Sequence, residues 1–224
     1  MSRNLIIGLV VGGVVLVGGG AYFVTQNGSD SSNDSASQQS SENASQDSST
    51  QAFDAVSTND TSFVATISTS DTEGKTSQST MEYDKSSGNV RYTSTADDKT
   101  FTITYTSDAY YMCQSADRCI KYPLNGVGDS GFDRSAFEYT AEELAGYKNS
   151  SAYQGKKDCP SGTCDVWQVS EGDYRATIYI DAGSKKIVQV EGTTGGTTSK
   201  IVYEYKDVSI TPPANAQEIP AIGQ

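Results

Sequence analysis

The chain has 224 residues, with 28 acidic and 16 basic side chains, four cysteines and no histidine. A formal charge of −12 argues against nucleic acid and anionic lipid headgroups as partners, because both need a positive footprint. Without histidine no Ser-His-Asp or Cys-His nucleophile system can be assembled.

From Leu5 to Val24 runs LIIGLVVGGVVLVGGGAYFV, twenty residues without a charge. At about 1.5 Å per residue a helix of that length spans about 30 Å, the hydrocarbon thickness of a bilayer. Arg3 is the only charged side chain ahead of it and no Lys or Arg follows before Lys75, which predicts a cytoplasmic amino terminus and an outward-facing remainder. The competing reading is a cleaved signal peptide. Its apolar stretch is normally shorter, and here Tyr22, Phe23 and Val24 continue the run past the small residues at Gly19-Gly20-Ala21. Residues 1–25 are therefore read as a single-pass membrane anchor.

Residues 26–51 are rich in Ser, Asn, Asp and Gln, with Ala36 and Ala44 as the only apolar side chains. Such a segment buries too little apolar area to offset backbone entropy and is expected to be a disordered tether. Residues 52–224 are long enough for one domain with a sizeable core, and they carry 24 acidic against 15 basic residues.

Along that domain the apolar period is two, which predicts strands. Phe101, Ile103 and Tyr105 alternate with threonines, and the pattern returns at Phe63/Ala65/Ile67, Met81/Tyr83, Val90/Tyr92, Tyr174/Ala176/Ile178/Ile180 and Ile201/Tyr203/Tyr205. Turn residues separate these runs, at Glu73-Gly-Lys75, Ser86-Ser-Gly-Asn89, Asp97-Asp-Lys99, Glu171-Gly-Asp173, Ala182-Gly-Ser184 and Gly195-Gly196. The prediction is a mainly β domain, an antiparallel meander of about ten strands forming an incomplete half barrel.

The cysteines form two close pairs, Cys113 with Cys119 and Cys159 with Cys164, each bracketing a turn. In an oxidising compartment this spacing predicts two local disulfides across hairpins. A four-cysteine zinc site is the alternative, but the C-x2-C spacing it normally uses is absent. One segment, Tyr139 to Asn149, reads as helical, with Thr140 as N-cap and Glu143 completing a capping box. It lies in a long non-strand stretch, Pro123 to Lys157, of a length usually tied to function.

Trp167 onward, through RATIYIDAGSKKIVQVEG to KIVYEYKDVSITPPANAQEIP, resembles the carboxy-terminal strands of the LolA/LppX-like lipoprotein carrier superfamily. The matching features are Tyr179-Ile-Asp181 before a Gly-containing turn, the strand Ile187 to Glu191, and a final Tyr203-x-Tyr205 strand leading to a Pro-rich end. The resemblance implies an incomplete antiparallel barrel curved around a lid, with acyl chains held in the apolar hollow between them. The membrane span and the two cysteine pairs depart from the simplest family pattern, and a tethered carrier does not diffuse between membranes.

Enzyme chemistry finds little in the residues. No Gly-rich loop stands between a strand and a helix, and the carboxylates at Asp97-Asp98 and Asp129-Ser-Gly-Phe-Asp133 do not fill a calcium loop's alternating oxygen positions. Neither a cofactor nor a metal is called for, and the oligomeric state is left open. The partner expected is a lipid or lipidated ligand, with Phe63, Phe101, Ile103, Ile178, Val190 and Tyr203 lining the hollow and Phe132 and Phe137 as its lid. The alternative is an anchored structural or adhesive module in which the same side chains fill a dry core.

Overall fold

The computed structural model describes residues 53–96, 99–124, 139–148, 150–171 and 174–218. The membrane anchor, the tether, Phe132 and Phe137 lie outside them. Among the described residues no helix is long and apolar enough to cross a membrane.

A short 3-10 turn (Thr58–Asp60) leads into β1 (Phe63–Ser70), β2 (Thr76–Asp84), β3 (Asn89–Ala96), β4 (Lys99–Tyr105), β5 (Ala109–Ser115) and β6 (Arg118–Pro123). A seven-residue helix, α1 (Ala141–Tyr147), precedes β7 (Ser151–Cys159), β8 (Gly162–Glu171), β9 (Tyr174–Asp181), β10 (Ile187–Thr194) and β11 (Thr197–Tyr205). The two-residue β12 (Gln217–Glu218) closes the list. All twelve strands belong to one sheet, ordered β12-β6-β5-β4-β3-β2-β1-β11-β10-β9-β8-β7. Two meanders are joined by the β1–β11 pair, in which Phe63 lies opposite Tyr205 and Ile67 opposite Ile201.

This corrects the expected architecture in two ways. The sheet has twelve strands, not about ten, and it is open, with β7 and β12 at its edges, so it is not a closed barrel. Moreover, part of the long non-strand stretch is strand β7. Its register slips between Tyr153 and Lys156, where Gly155 takes φ +89°, and its charged residues Lys156, Lys157 and Asp158 hide the alternation. Charge and a bulge are the usual protection of an edge strand against pairing with other chains.

Both disulfides form as the spacing predicts, Cys113–Cys119 across β5–β6 and Cys159–Cys164 across β7–β8. Their loops are short. Reducing both should lower unfolding free energy by about 4 kcal/mol at most, leaving the far-ultraviolet circular dichroism of the native sheet unchanged at low denaturant.

The core lies on one face. Because side chains alternate, the register sets rows across the strands: Ile67, Ile201, Val190, Ile178 and Trp167 stand side by side, and Ile103, Tyr92, Met81, Ala65 and Tyr203 form the next row. Leu144 of α1 and Phe53 of the N-terminal lead-in join that buried cluster, with the Phe53 ring 5.4 Å from Trp167 and 6.1 Å from Tyr147.

The other face is mostly hydroxyl, as where Thr66, Thr80, Thr93 and Thr102 stand in register. It is buried in one place. Thr104 is 2% exposed and Tyr111 7%, and they lie in one row between Arg91 and Lys121. The C-terminal segment touches both ends of that row: Arg91 donates to the Thr211 carbonyl at 3.5 Å, and Lys121 pairs with Glu218 at 3.4 Å. The segment thus crosses the outer face of β3 to β6 and ends as β12, parallel to β6. Its start is held by the β2–β3 turn, where the Asp84 carboxylate accepts from the Ile210 amide at 3.2 Å and Asn89 donates to the Ile210 carbonyl at 3.1 Å.

Candidate functional site

The six predicted wall residues fall on the core face in three positions. Phe63, Ile178, Val190 and Tyr203 belong to the central cluster, with Ile178 directly opposite Val190. Ile103 is buried on the same face toward the β6 side of the sheet, and Phe101 is half-buried beside it. The two lid residues, Phe132 and Phe137, are outside the described residues.

At the centre the space is filled. Phe63 is fully buried, its ring 5.5 Å from Tyr83, 5.4 Å from Tyr203 and 6.2 Å from Tyr205. Aromatic rings at such separations make edge-to-face and tilted contacts, leaving no room for another chain of atoms.

Toward β6 the same face stays apolar but opens. The row Ile103, Met112, Ile120 passes from 9% exposed at Ile103 to 36% at Ile120. Beside it Tyr105, Tyr110 and Tyr122 stand opposite one another on three successive strands. Their rings stack, Tyr110 on Tyr122 at 4.7 Å and 7°, Tyr105 on Tyr110 at 5.8 Å and 25°. Burial, then the neighbouring Tyr122, pushes the Tyr110 phenol above its usual range. Phe101 completes this strip of aromatic and aliphatic side chains, half-buried and continuous with the core.

Sequence reasoning missed most of this strip. Tyr110/Met112 and Ile120/Tyr122 each alternate, but they flank Cys113 and Cys119, and the cysteines were the stronger local signal. The ladder itself depends on strand register, which a single run does not encode.

Two polar features were also found. Asp165 is buried on the core face near the β9–β10 turn, accepting from the Tyr153 hydroxyl at 3.1 Å and pairing with Lys156 at 3.1 Å and Lys185 at 3.8 Å. Burial and then this carboxylate push the Tyr153 phenol up. Paired with two cations, the carboxylate is a structural group. On the outer face a groove of about 460 Å³ is lined by Ser, Thr and Gly residues, Arg175 and the Lys200–Glu191 pair, 3.5 Å apart. Its lining is that of a solvated sheet face. Among the described residues no three His, Cys, Asp or Glu side chains gather to hold a metal ion.

The chain matches no protein-family model and no curated protein. Among solved structures its fold is similar to that of the lipoprotein LppX of Mycobacterium tuberculosis, at TM-score 0.44 and 10% identity, covering 67% of this chain and 90% of that one. It is likewise similar to LprF of Mycobacterium bovis, at TM-score 0.46 and 11% identity over 70% and 90%. An uncharacterized conserved protein from Thermus thermophilus gives TM-score 0.43 and 11% identity over 71% and 90%. These likenesses are of fold alone.

Proposed function

We propose that the domain is a non-catalytic, membrane-anchored module that binds an acyl chain of a lipid or lipidated ligand along the open strip of β4 to β6. One observation carries the reading: the core face remains apolar as it loses its cover, from Ile103 to Ile120 and along Tyr105, Tyr110 and Tyr122. An extended alkyl chain laid on such a strip gains about 0.8 kcal/mol for each methylene removed from water. The tyrosines present flat apolar bodies with polar tips, suited to a ligand that is apolar along its length and polar at its head. The N-terminal run would keep the domain outside the cytoplasm and close to its lipid source.

Native mass spectrometry of the full chain, purified from its membrane, is expected to show a bound lipid. Ile103→Trp should reduce its occupancy with only modest loss of stability, because the added bulk enters the open strip. Ile178→Trp tests the filled centre and should overpack it, at a cost of about 1–3 kcal/mol. A chain that carries no lipid in any preparation sinks the reading.

The second reading, a surface module with a filled core, is favoured by the central cluster around Phe63. It predicts that Ile103→Trp destabilises the fold as much as Ile178→Trp does, with no ligand to displace.

A further inference from the structure

The two ends of the sheet differ sharply. At one end lie the β1–β2, β3–β4, β5–β6 and β10–β11 turns, carrying exposed Asp71, Glu73, Lys75, Asp117, Arg118 and the Gly195-Gly196 pair. The other end gathers the N-terminal lead-in, the β4–β5 and β9–β10 turns and the last residues of β6 and β11. Register places these together: Phe63 pairs with Tyr205 and Tyr83, Tyr83 with Val90, Val90 with Tyr105, Tyr105 with Tyr110, and Tyr110 with Tyr122. Val56 bridges to Lys186 of the β9–β10 turn at this same end.

The three exposed large hydrophobic residues among those described are Val56 at 38%, Ile120 at 36% and Leu124 at 38%. All sit on or beside this end. Leu124 follows β6 directly and is fixed there by its amide, which donates to the Asp108 carbonyl at 2.9 Å. The stacked Tyr110 and Tyr122 adjoin it. Scattered exposed hydrophobics need no explanation, but a set confined to one end, beside an amphipathic tyrosine ladder, does.

The covalent path says what this end faces. The chain enters the domain here, at Phe53 to Val56, and the 26 residues before Ala52 lead back to the twenty-residue uncharged run. A coil of that length has an end-to-end distance of about 25–30 Å, which keeps this end at millimolar-scale effective concentration beside whatever the run is embedded in.

We propose that the tether-side end of the sheet is a membrane-contacting rim, at which Val56, Ile120, Leu124, Tyr110 and Tyr122 seat in the headgroup–acyl boundary of an electrically neutral bilayer. Tyrosine is enriched at that boundary because its ring is apolar and its hydroxyl is wet. The overall negative charge makes the contact one of apolar insertion, insensitive to salt and weakened by anionic lipid. The rim adjoins the strip assigned above to the acyl chain, but the contact does not require that a ligand be bound, so the two readings fail separately.

The test uses the full chain in phosphatidylcholine nanodiscs whose acyl chains carry bromine near the headgroup. The sole tryptophan, Trp167, is 4% exposed and packed against Phe53, so it gives a steady background. Emission added by Leu124→Trp should be largely quenched by the brominated lipid, whereas emission added by Lys75→Trp at the opposite end should not. Quenching of the rim tryptophan should persist at raised salt and diminish when phosphatidylglycerol replaces part of the lipid. Equal emission from the two variants overturns the proposal, as does a chain that elutes apart from the discs. Rim emission that ignores bromine but shifts with protein concentration identifies a second copy as the occupant, and also overturns it.

Discussion

Replacing Phe63 by Ala is expected to cost about 3–5 kcal/mol, among the largest losses any single substitution here would produce. The ring is fully buried at the junction of the two meanders, where β1 pairs with both β2 and β11, and three tyrosine rings rest against it. Removing it opens a cavity that strands locked in register cannot collapse. The same change at half-buried Phe101 should cost only about 1–2 kcal/mol, because its ring leaves less contact behind. Urea unfolding of the two variants gives the comparison directly. Equal losses would mean that the face of β4 is as tightly packed as the centre, and the open strip would have no basis.

The second large effect is expected at Asp84. Its carboxylate accepts from the Ser86 amide at 2.9 Å, the Ser86 and Ser87 hydroxyls at 2.7 and 2.8 Å, and the Ile210 amide at 3.2 Å. Donors from Ser86 and Ser87, outweighing the cost of burial and helped by Ile210, hold this group far below the usual carboxylate range. A depressed folded-state value means that the unfolded chain binds the proton more readily. The stability from Asp84 is therefore complete above about pH 4 and is lost progressively as the pH falls below it. Asp84→Asn should lower stability at neutral pH by about 2–3 kcal/mol, since a charged acceptor is lost and an amide donor now faces other donors. It should also flatten the acid limb of the stability curve and speed hydrogen exchange in residues 208–218. Parallel acid limbs for the two proteins would remove Asp84 from this role.

What could be read from the chain followed from local chemistry. Phe101-Thr-Ile-Thr-Tyr105 announces a strand with one apolar face because the pleat turns alternate residues to opposite sides, and β4 has those bounds at its C-terminal end. The cysteine pairs announced their hairpins for an equally local reason. Helix α1 occupies Ala141–Tyr147 within the predicted Tyr139 to Asn149, starting just after Thr140. Strand β7 was illegible because an edge strand is shaped by what it must avoid pairing with, and that pressure writes charge and glycine where periodicity would stand. The course of the C-terminal segment was illegible because Ile210 is held by Asp84 and Asn89, residues remote from it along the chain. The candidate site divides in the same manner. Alternation identifies which face Phe63, Ile103 and Ile178 share, but whether that face is filled or open depends on partners across the sheet, which only register supplies.

The pairing of β1 with β11 also orders the events of synthesis. Strands β1 to β6 leave the ribosome as a meander complete in itself except along β1, whose outer edge carries Phe63, Ala65 and Ile67 and has its partner in residues Thr198 to Tyr205. Until those residues emerge, the first half of the domain presents an unmatched strand edge backed by an uncovered apolar face. This is the combination that seeds association between nascent chains. The final strands therefore act as the domain's own stopper, and a chain interrupted after β10 would leave that edge permanently unsealed.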